Sequence, residues 1–342
     1  MNNKKKIAFI IDTDGWTFSN LAYTLKCKLS FYYDIDIIPG DIFKGNIVKL
    51  FILCQKYDLI HFLWRGYLSL IDNTNMDNYI LSLGFEKDEF YQNYIYKKII
   101  TSSVCDHLYL SGEDEWRTNE IFKYVDSYFV TSLNLLKIYS NINKEKLYGI
   151  INDFVDLELF KPTIRKKYIN DDKIIIGWVG NSKFIGPSKE YDLKGLNTII
   201  KPAINELLKE GYKIELKLAD SNERIIPNYQ MPDFYKNIDI YVCASSTEGT
   251  PMPILEAMAI GLPVVSTNVG IVNEAFGDIQ KKLIMKERSI NELKNKIKYL
   301  VEHKDKLEEI SKENIENVKK FSIDNISKKY YNFFESNLSK KK

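Results

Sequence analysis

Ser245-Ser246-Thr247-Glu248-Gly249-Thr250-Pro251-Met252-Pro253-Ile254-Leu255-Glu256-Ala257-Met258-Ala259-Ile260-Gly261-Leu262-Pro263-Val264-Val265 is the stretch that decides the reading of this chain. Pro251 and Pro253 suit the first turn of a helix, where a missing N–H costs little. The apolar run to Ile260 extends that helix, Gly261-Leu262-Pro263 breaks it, and Val264-Val265 resumes as a buried strand. Glu248 and Glu256 stand on either side of the helix start. A helix N-terminus offers unpaired N–H groups and a positive dipole end to a phosphate. Carboxylates beside it can accept bonds from sugar hydroxyls, so the combination suits a nucleotide sugar. Glu256 lies between Leu255 and Ala257-Met258, in a helix apolar on most sides, which argues against an ordinary solvated acid.

Working outward, short apolar runs alternate with helical patterns along the whole chain. The first half reads as strands at Lys6–Ile11, Ile35–Ile38, Asp58–Leu63, Ile99–Val104, Ser127–Val130 and Leu147–Ile151. Its helices read as Phe18–Leu29, Ile47–Gln55 and Leu133–Tyr139. The pattern restarts with strands at Ile174–Val179, Lys213–Leu218, Ile238–Val242 and Pro263–Ser266, and helices at Leu193–Leu208 and Pro251–Ile260. From Ile290 to about Asn337 the chain is helical and charged. This is the rhythm of parallel sheets covered on both faces, an α/β class. The expected division is a Rossmann-like domain over residues 1–161, a Pro-bearing charged linker over 162–173, and a second Rossmann-like domain over 174–322. Ligands of such sheets bind beyond the carboxyl ends of the strands.

A length of 342 residues allows two domains of ordinary size. Lys plus Arg number 48 against 46 for Asp plus Glu, a balance that argues against a nucleic-acid partner. Cys27, Cys54, Cys105 and Cys243 are scattered, with no CxxC pair and three histidines in all, so neither a structural zinc nor any other metal is expected. A reduced, cytoplasmic protein follows. The apolar run after Met1–Lys6 stops at Asp12, too short for a signal sequence, and no run reaches transmembrane length. The Lys-rich tail Ser339–Lys342 reads as a frayed end that allows weak contact with anionic lipid at the inner face of the membrane.

Glu248 to Thr267 resembles the signature of the family 4 retaining glycosyltransferases of GT-B fold. That resemblance implies two doubly wound domains facing a cleft, with the last helix, residues 323–342, returning to pack on the first domain. It implies that Glu248 lies beside the transferred sugar, Glu256 holds the nucleotide ribose, and the amides of Thr250 and Met252 contact the diphosphate. Ile175–Lys183 resembles the strand and glycine opening the family's second domain, and Asp192-Leu193-Lys194-Gly195-Leu196 resembles its Lys-Gly motif. Asn181 stands where the family usually has Arg, leaving Lys194 as the expected cation, with Lys183 a substitute. A lysine at a positive helix end is unfavourable unless an anion is normally present. Asn152–Pro162 resembles the closure of the first domain, and Thr101–His107 the strand end where a His faces the sugar. The resemblance thus assigns Glu248, Lys194, His107 and Asp106 to catalysis. Gly15, Gly180, Asn181, Lys183, Gly249, Thr250, Pro251, Met252 and Glu256 are assigned to the donor.

His61 reads either as a second strand-end His or as a satisfied core residue. Asp12-Thr13-Asp14-Gly15 replaces the family's Gly-Gly loop. It also fits a metal-binding Asp-x-Asp or a phosphatase nucleophile, but neither explains the Glu248–Val265 block. The aromatic residues Phe321, Tyr330, Tyr331, Phe333 and Phe334 suit core packing of the returning helix. Trp64, Arg65, Tyr67, Trp116 and Arg117 serve either as acceptor contacts or as loop anchors. The expected activity is metal-independent transfer of a sugar from a nucleotide-diphosphate donor, with no cofactor, to a glycan, lipid-linked or protein acceptor. A non-catalytic accessory protein and a nucleotide-sugar epimerase are the alternatives.

Overall fold

The computed structural model describes residues 4–15, 17–110, 115–163, 173–184 and 191–340. Most of the expected linker, residues 164–172, lies outside these, as do Trp16, residues 111–114 and the last two lysines. The chain forms two compact units, residues 1–151 with 326–342, and residues 152–325.

The first unit carries a six-stranded sheet: β1 (Lys5–Ile11), β2 (Tyr33–Pro39), β3 (Leu59–Phe62), β4 (Ile99–Val104), β5 (Ser127–Val130) and β6 (Leu147–Ile150). Every pairing is parallel and the order is β2-β1-β3-β4-β5-β6. β3, β4 and β5 are buried along their whole length, as in a parallel sheet covered on both faces, and the polar residues within them are hydrogen-bonded, His61 to Thr101 and Ser102 to Phe62 O. Helices α1 (Thr17–Leu29), α2 (Ile47–Leu53), α3 (Thr74–Ser82) and α4 (Leu133–Ile142) fill the connections. Asn46, Asn73 and Ser132 cap the last three by accepting from the N3 amide. Ile10, Ile60, Phe62 and Ile100 form one face's core with Phe51 and Met76.

The second unit has four parallel strands: β7 (Ile174–Gly180), β8 (Ile214–Asp220), β9 (Ile240–Cys243) and β10 (Val264–Ser266), in the order β10-β9-β7-β8. Its helices are α5 (Lys201–Lys209), α6 (Met231–Lys236), α7 (Met252–Ile260), α8 (Ile290–Glu302) and α9 (Lys304–Val318). The expected helix from Leu193 begins at Leu196, as a wide π-type turn running into α5. Strand order reverses between β7 and β9, so the crevice that such sheets use for ligands opens beyond Gly180 and Cys243. Val155 and Phe160 are buried in this unit's core, and Val155 N–H donates to Phe321 O at 2.9 Å.

The final helix, α10 (Ile323–Leu338), belongs to the first unit from Ile326 onward. Tyr330, Phe333 and Phe334 pack on the sheet face opposite Ile10, against Phe9, His61 and Phe129. Tyr331 lies over Tyr32, ring centroids 4.5 Å apart. Phe321 departs from this group: it joins the second unit's core, because it precedes the helix and pairs with Val155.

Candidate functional site

The loop after β9 and the loop before α5 meet at the second unit's switch point. Lys194 Nζ lies 2.6 Å from Glu248 Oε1, with side-chain exposures of 22% and 14%. Ser245 Oγ donates to the same carboxylate oxygen at 2.7 Å. Asp192 fixes Lys194 from below: its carboxylate accepts the amides of Leu196, Asn197 and Thr198 at 2.6–3.1 Å. The positive start of this helical segment is therefore neutralised from within the chain. The conflict expected for Lys194 at a bare helix end is relieved by Asp192 and Glu248, so it gives no evidence for an outside anion. Arg288 Nε donates to Ala244 O and its Nη2 to Asp192 O, both at 2.8 Å, tying the two loops together. Gly195 has φ 72, and a Cβ there would sit 2.9 Å from Ala244 Cβ and nearer still to its carbonyl oxygen. Only glycine lets these loops approach so closely.

Helix α7 differs at its start from the Asp192-capped turn at Leu196. Pro251 is its N-cap with no side-chain hydrogen bond, and Pro253 fills the first turn, so no side chain competes for the helix-start amides. Among the described residues, the helix start after Glu248 has no side-chain cap, whereas the turn at Leu196 is capped by Asp192. A side chain at Gly270 would strike the Gly249 carbonyl oxygen and lie 2.9 Å from Pro251 Cδ, so this glycine backs the Gly249–Pro251 turn. Asp153 is buried beside Thr250; burial pushes its carboxyl up to about 6, against a lowering interaction with the Thr250 hydroxyl. Glu256 is half-buried on α7 and accepts the Tyr235 hydroxyl on Oε2 at 2.7 Å. Burial raises its carboxyl to about 7, with Tyr235 working in the opposite sense.

At the end of β7, Gly180 lies against the Trp178 ring. Asn181 turns back on its own loop, its Oδ1 accepting the Lys183 amide at 2.9 Å. Asp220 at the end of β8 accepts the amides of Ser182 and Asn222, both at 3.0 Å. Burial would raise its carboxyl, but these bonds hold it below the ordinary range. Lys183 is exposed on this braced turn.

In the first unit the assigned residues separate. Gly15 has φ 82, and its amide and the Ser19 hydroxyl both donate to Asp14 Oδ1, so Asp14 serves the turn into α1. Asp12 is half-buried, with burial raising its carboxyl. Among the described residues, no group of three or more His, Cys, Asp or Glu could hold a metal ion. Asp106 is held by its own unit: its Oδ1 lies 2.6 Å from the Nη2 of Arg65, which is 2% exposed, and accepts the Leu108 amide at 2.9 Å. Arg65 also donates to Leu108 O at 2.9 Å, so both residues anchor the loop after β4. Tyr67 packs on Phe43 and donates to Asp12 O at 3.3 Å, another anchor. His107 is half-buried on the same loop, and Trp116 is exposed. His61 is a core residue. It is fully buried, pairs with Thr101 Oγ1 at 3.0 Å and stacks on Phe129, and burial lowers its pKa to about 3. Asp192, Tyr235, Gly270 and Arg288 shape the site without any role for them legible in the sequence.

Residues 203–317 match the family model of glycosyl transferases group 1. A putative teichuronic acid biosynthesis glycosyltransferase of Bacillus subtilis is 41% identical over 59 residues, 17% of this chain and 15% of the relative. The matched stretches span 15% to 49% of the length of the curated relatives. The structure of a glycosyltransferase from Rickettsia africae superposes with a TM-score of 0.70 at 15% identity, covering 98% of this chain and 99% of that one. Anabaena HepE in complex with UDP and glucose gives a TM-score of 0.67 at 14% identity, covering 97% and 100%. No helix among the described residues is long and apolar enough to cross a membrane. Part of the second unit, residues 203–317, thus matches the group 1 glycosyl transferase model, and the whole chain shares the GT-B fold of these solved structures.

Proposed function

We propose that this chain transfers a sugar, with retention at the anomeric carbon, from a nucleotide-diphosphate sugar to an acceptor hydroxyl during bacterial glycan synthesis. The observation that carries the proposal is the Lys194–Glu248 pair at the switch point, next to the uncapped start of α7. Transfer breaks the bond between the anomeric carbon and the diphosphate oxygen, and negative charge grows on the leaving group. Lys194, the amides of Thr250 and Met252, and Lys183 would stabilise that charge, a contribution that is large when the donors are held in place beforehand. Asp192, Arg288 and Gly195 hold Lys194 before any ligand arrives. The diphosphate would draw Lys194 from Glu248, freeing that carboxylate for the hydroxyls of the sugar, while Glu256 takes the ribose. The acceptor hydroxyl attacks from the face the diphosphate leaves, so no protein nucleophile is required, and His107 is the remaining first-unit candidate beside the sugar. The complex of HepE with UDP and glucose supports a uridine nucleotide among the donors to test first. None of the four cysteines forms a disulfide, which suits a reducing compartment, and a cytoplasmic setting is part of the proposal.

Glu248→Gln and Lys194→Met should each lower transfer by roughly 10²–10³ while leaving the fold intact. Near-normal turnover in either folded variant would overturn the assignment. Asn181 supplies no charge where the family has Arg, which favours the second reading of a non-catalytic donor-binding protein. Donor hydrolysis or transfer by the purified chain decides between the two.

A further inference from the structure

Tyr235 belongs to none of the motifs that mark the site. It lies near the end of α6, fully buried, with its ring against Phe160, Phe234 and Tyr241. Burial of a phenol among aromatic rings leaves its O–H in need of a partner. That partner is Glu256 Oε2, at 2.7 Å on the neighbouring helix α7. A glutamate's terminal torsion is soft, and a free carboxylate rotates over a broad range. Anchoring one oxygen fixes the plane of the group and the direction of the other.

We infer that Tyr235 is a positioning residue: by holding Glu256 Oε2 it aims Oε1 at the hydroxyls of the nucleotide's ribose. This inference rests on the assignment of Glu256 to the ribose made above. An acceptor with a preset direction binds a diol more tightly than one that must be ordered on binding. The contact has an electrostatic side as well. The titratable groups facing Glu256 are the phenols of Tyr235, from α6, and Tyr241, from β9; Tyr241 also senses Glu248. Burial holds the Glu256 carboxyl near 7, and the Tyr235 bond favours the charged form. Loss of that hydroxyl therefore moves the titration of Glu256 to higher pH.

The test uses the whole chain and isothermal titration with UDP, GDP, ADP and CDP. The tightest binder is then compared with its 2′,3′-dideoxy counterpart. The chain should prefer the ribose form, and Glu256→Gln should abolish the preference. Tyr235→Phe keeps the ring in the core. It should weaken the ribose form roughly tenfold and leave the dideoxy form unchanged, as expected for one hydrogen bond to a charged group. Binding of the ribose form should strengthen as pH rises through the titration of Glu256, and in Tyr235→Phe the midpoint of that rise should move upward. Equal weakening of both nucleotides, or an unmoved midpoint, makes Tyr235 a packing residue and overturns the inference alone. Full ribose preference in Glu256→Gln overturns the ribose assignment and the inference with it. Failure of all four nucleotides to bind removes the donor reading itself.

Discussion

Replacing Gly195 by Ala tests whether the site is held by backbone contact or only by its charges. At φ 72 an L-residue pays about 1 kcal/mol or more for the left-handed conformation. The new Cβ would also lie 2.9 Å from Ala244 Cβ and 3.1 Å from Ala244 C, and closest to the carbonyl oxygen between them. Those neighbours directly follow the buried strand β9, so the Asp192–Gly195 loop must move instead. Overpacking of this kind costs roughly 1–3 kcal/mol, for a total of about 2–5 kcal/mol. Gly211→Ala is the control within the same unit: its φ is 90, but a Cβ there meets nothing within 4 Å. Only the conformational cost, about 1 kcal/mol, should appear. Both variants are measured by urea unfolding, followed by circular dichroism and by the fluorescence of Trp178, which is buried in this unit. The difference between them isolates the contact with Ala244. Because the loop carries Lys194, Gly195→Ala should also depress transfer, whereas Gly211→Ala should not. Equal destabilisation by the two substitutions would refute the close-approach argument.

Two further outcomes follow from the first unit. Asp106→Ala leaves the Arg65 guanidinium, 2% exposed, without its carboxylate, and should cost about 3–5 kcal/mol of unfolding free energy. A normal unfolding midpoint with lost transfer would instead return Asp106 to the chemistry. His61 titrates at about 3 when folded, against 6.5 for its ordinary value. The unfolded chain therefore binds the extra proton first, and His61's contribution is complete above pH 6.5 and lost as pH falls towards 3. Across that window wild-type stability should fall by up to about 1.4 kcal/mol per pH unit more steeply than that of His61→Leu; parallel pH profiles would contradict it.

What could be read in advance was whatever repeats locally. β4 and β5 were legible residue for residue, because short runs ending in apolar or β-branched residues recur between helical patterns at the spacing of a parallel sheet. The Glu248–Val265 block was legible because prolines, glycine and acids carry their meaning within one turn or one strand. What stayed hidden depends on partners far away in sequence. The bond from Tyr235 to Glu256 spans 21 residues and that from Arg288 to Asp192 spans 96, and neither leaves a period to detect. Asp106 entered through the resemblance of Thr101–His107 to a sugar-facing strand end, and its ion pair with Arg65, 41 residues away on another loop, left no local signal. α3 lies between two turns in a polar stretch and went unread because its apolar face is short, with only Met76 and Ile80 buried.

The return of α10 to the first unit has a consequence for how the chain is made. Phe9, His61 and Phe129 are covered by Tyr330, Phe333 and Phe334. At ribosomal speeds of about 5–20 residues per second, Phe9 leaves the peptidyl-transferase centre roughly 15–65 s before Phe334 exists. The second unit is one uninterrupted segment, residues 152–325, and can close while this aromatic face is still bare. The half of the molecule begun first is thus the last to be sealed. A nascent chain stalled before residue 326 would present that face to chaperones rather than to its own helix.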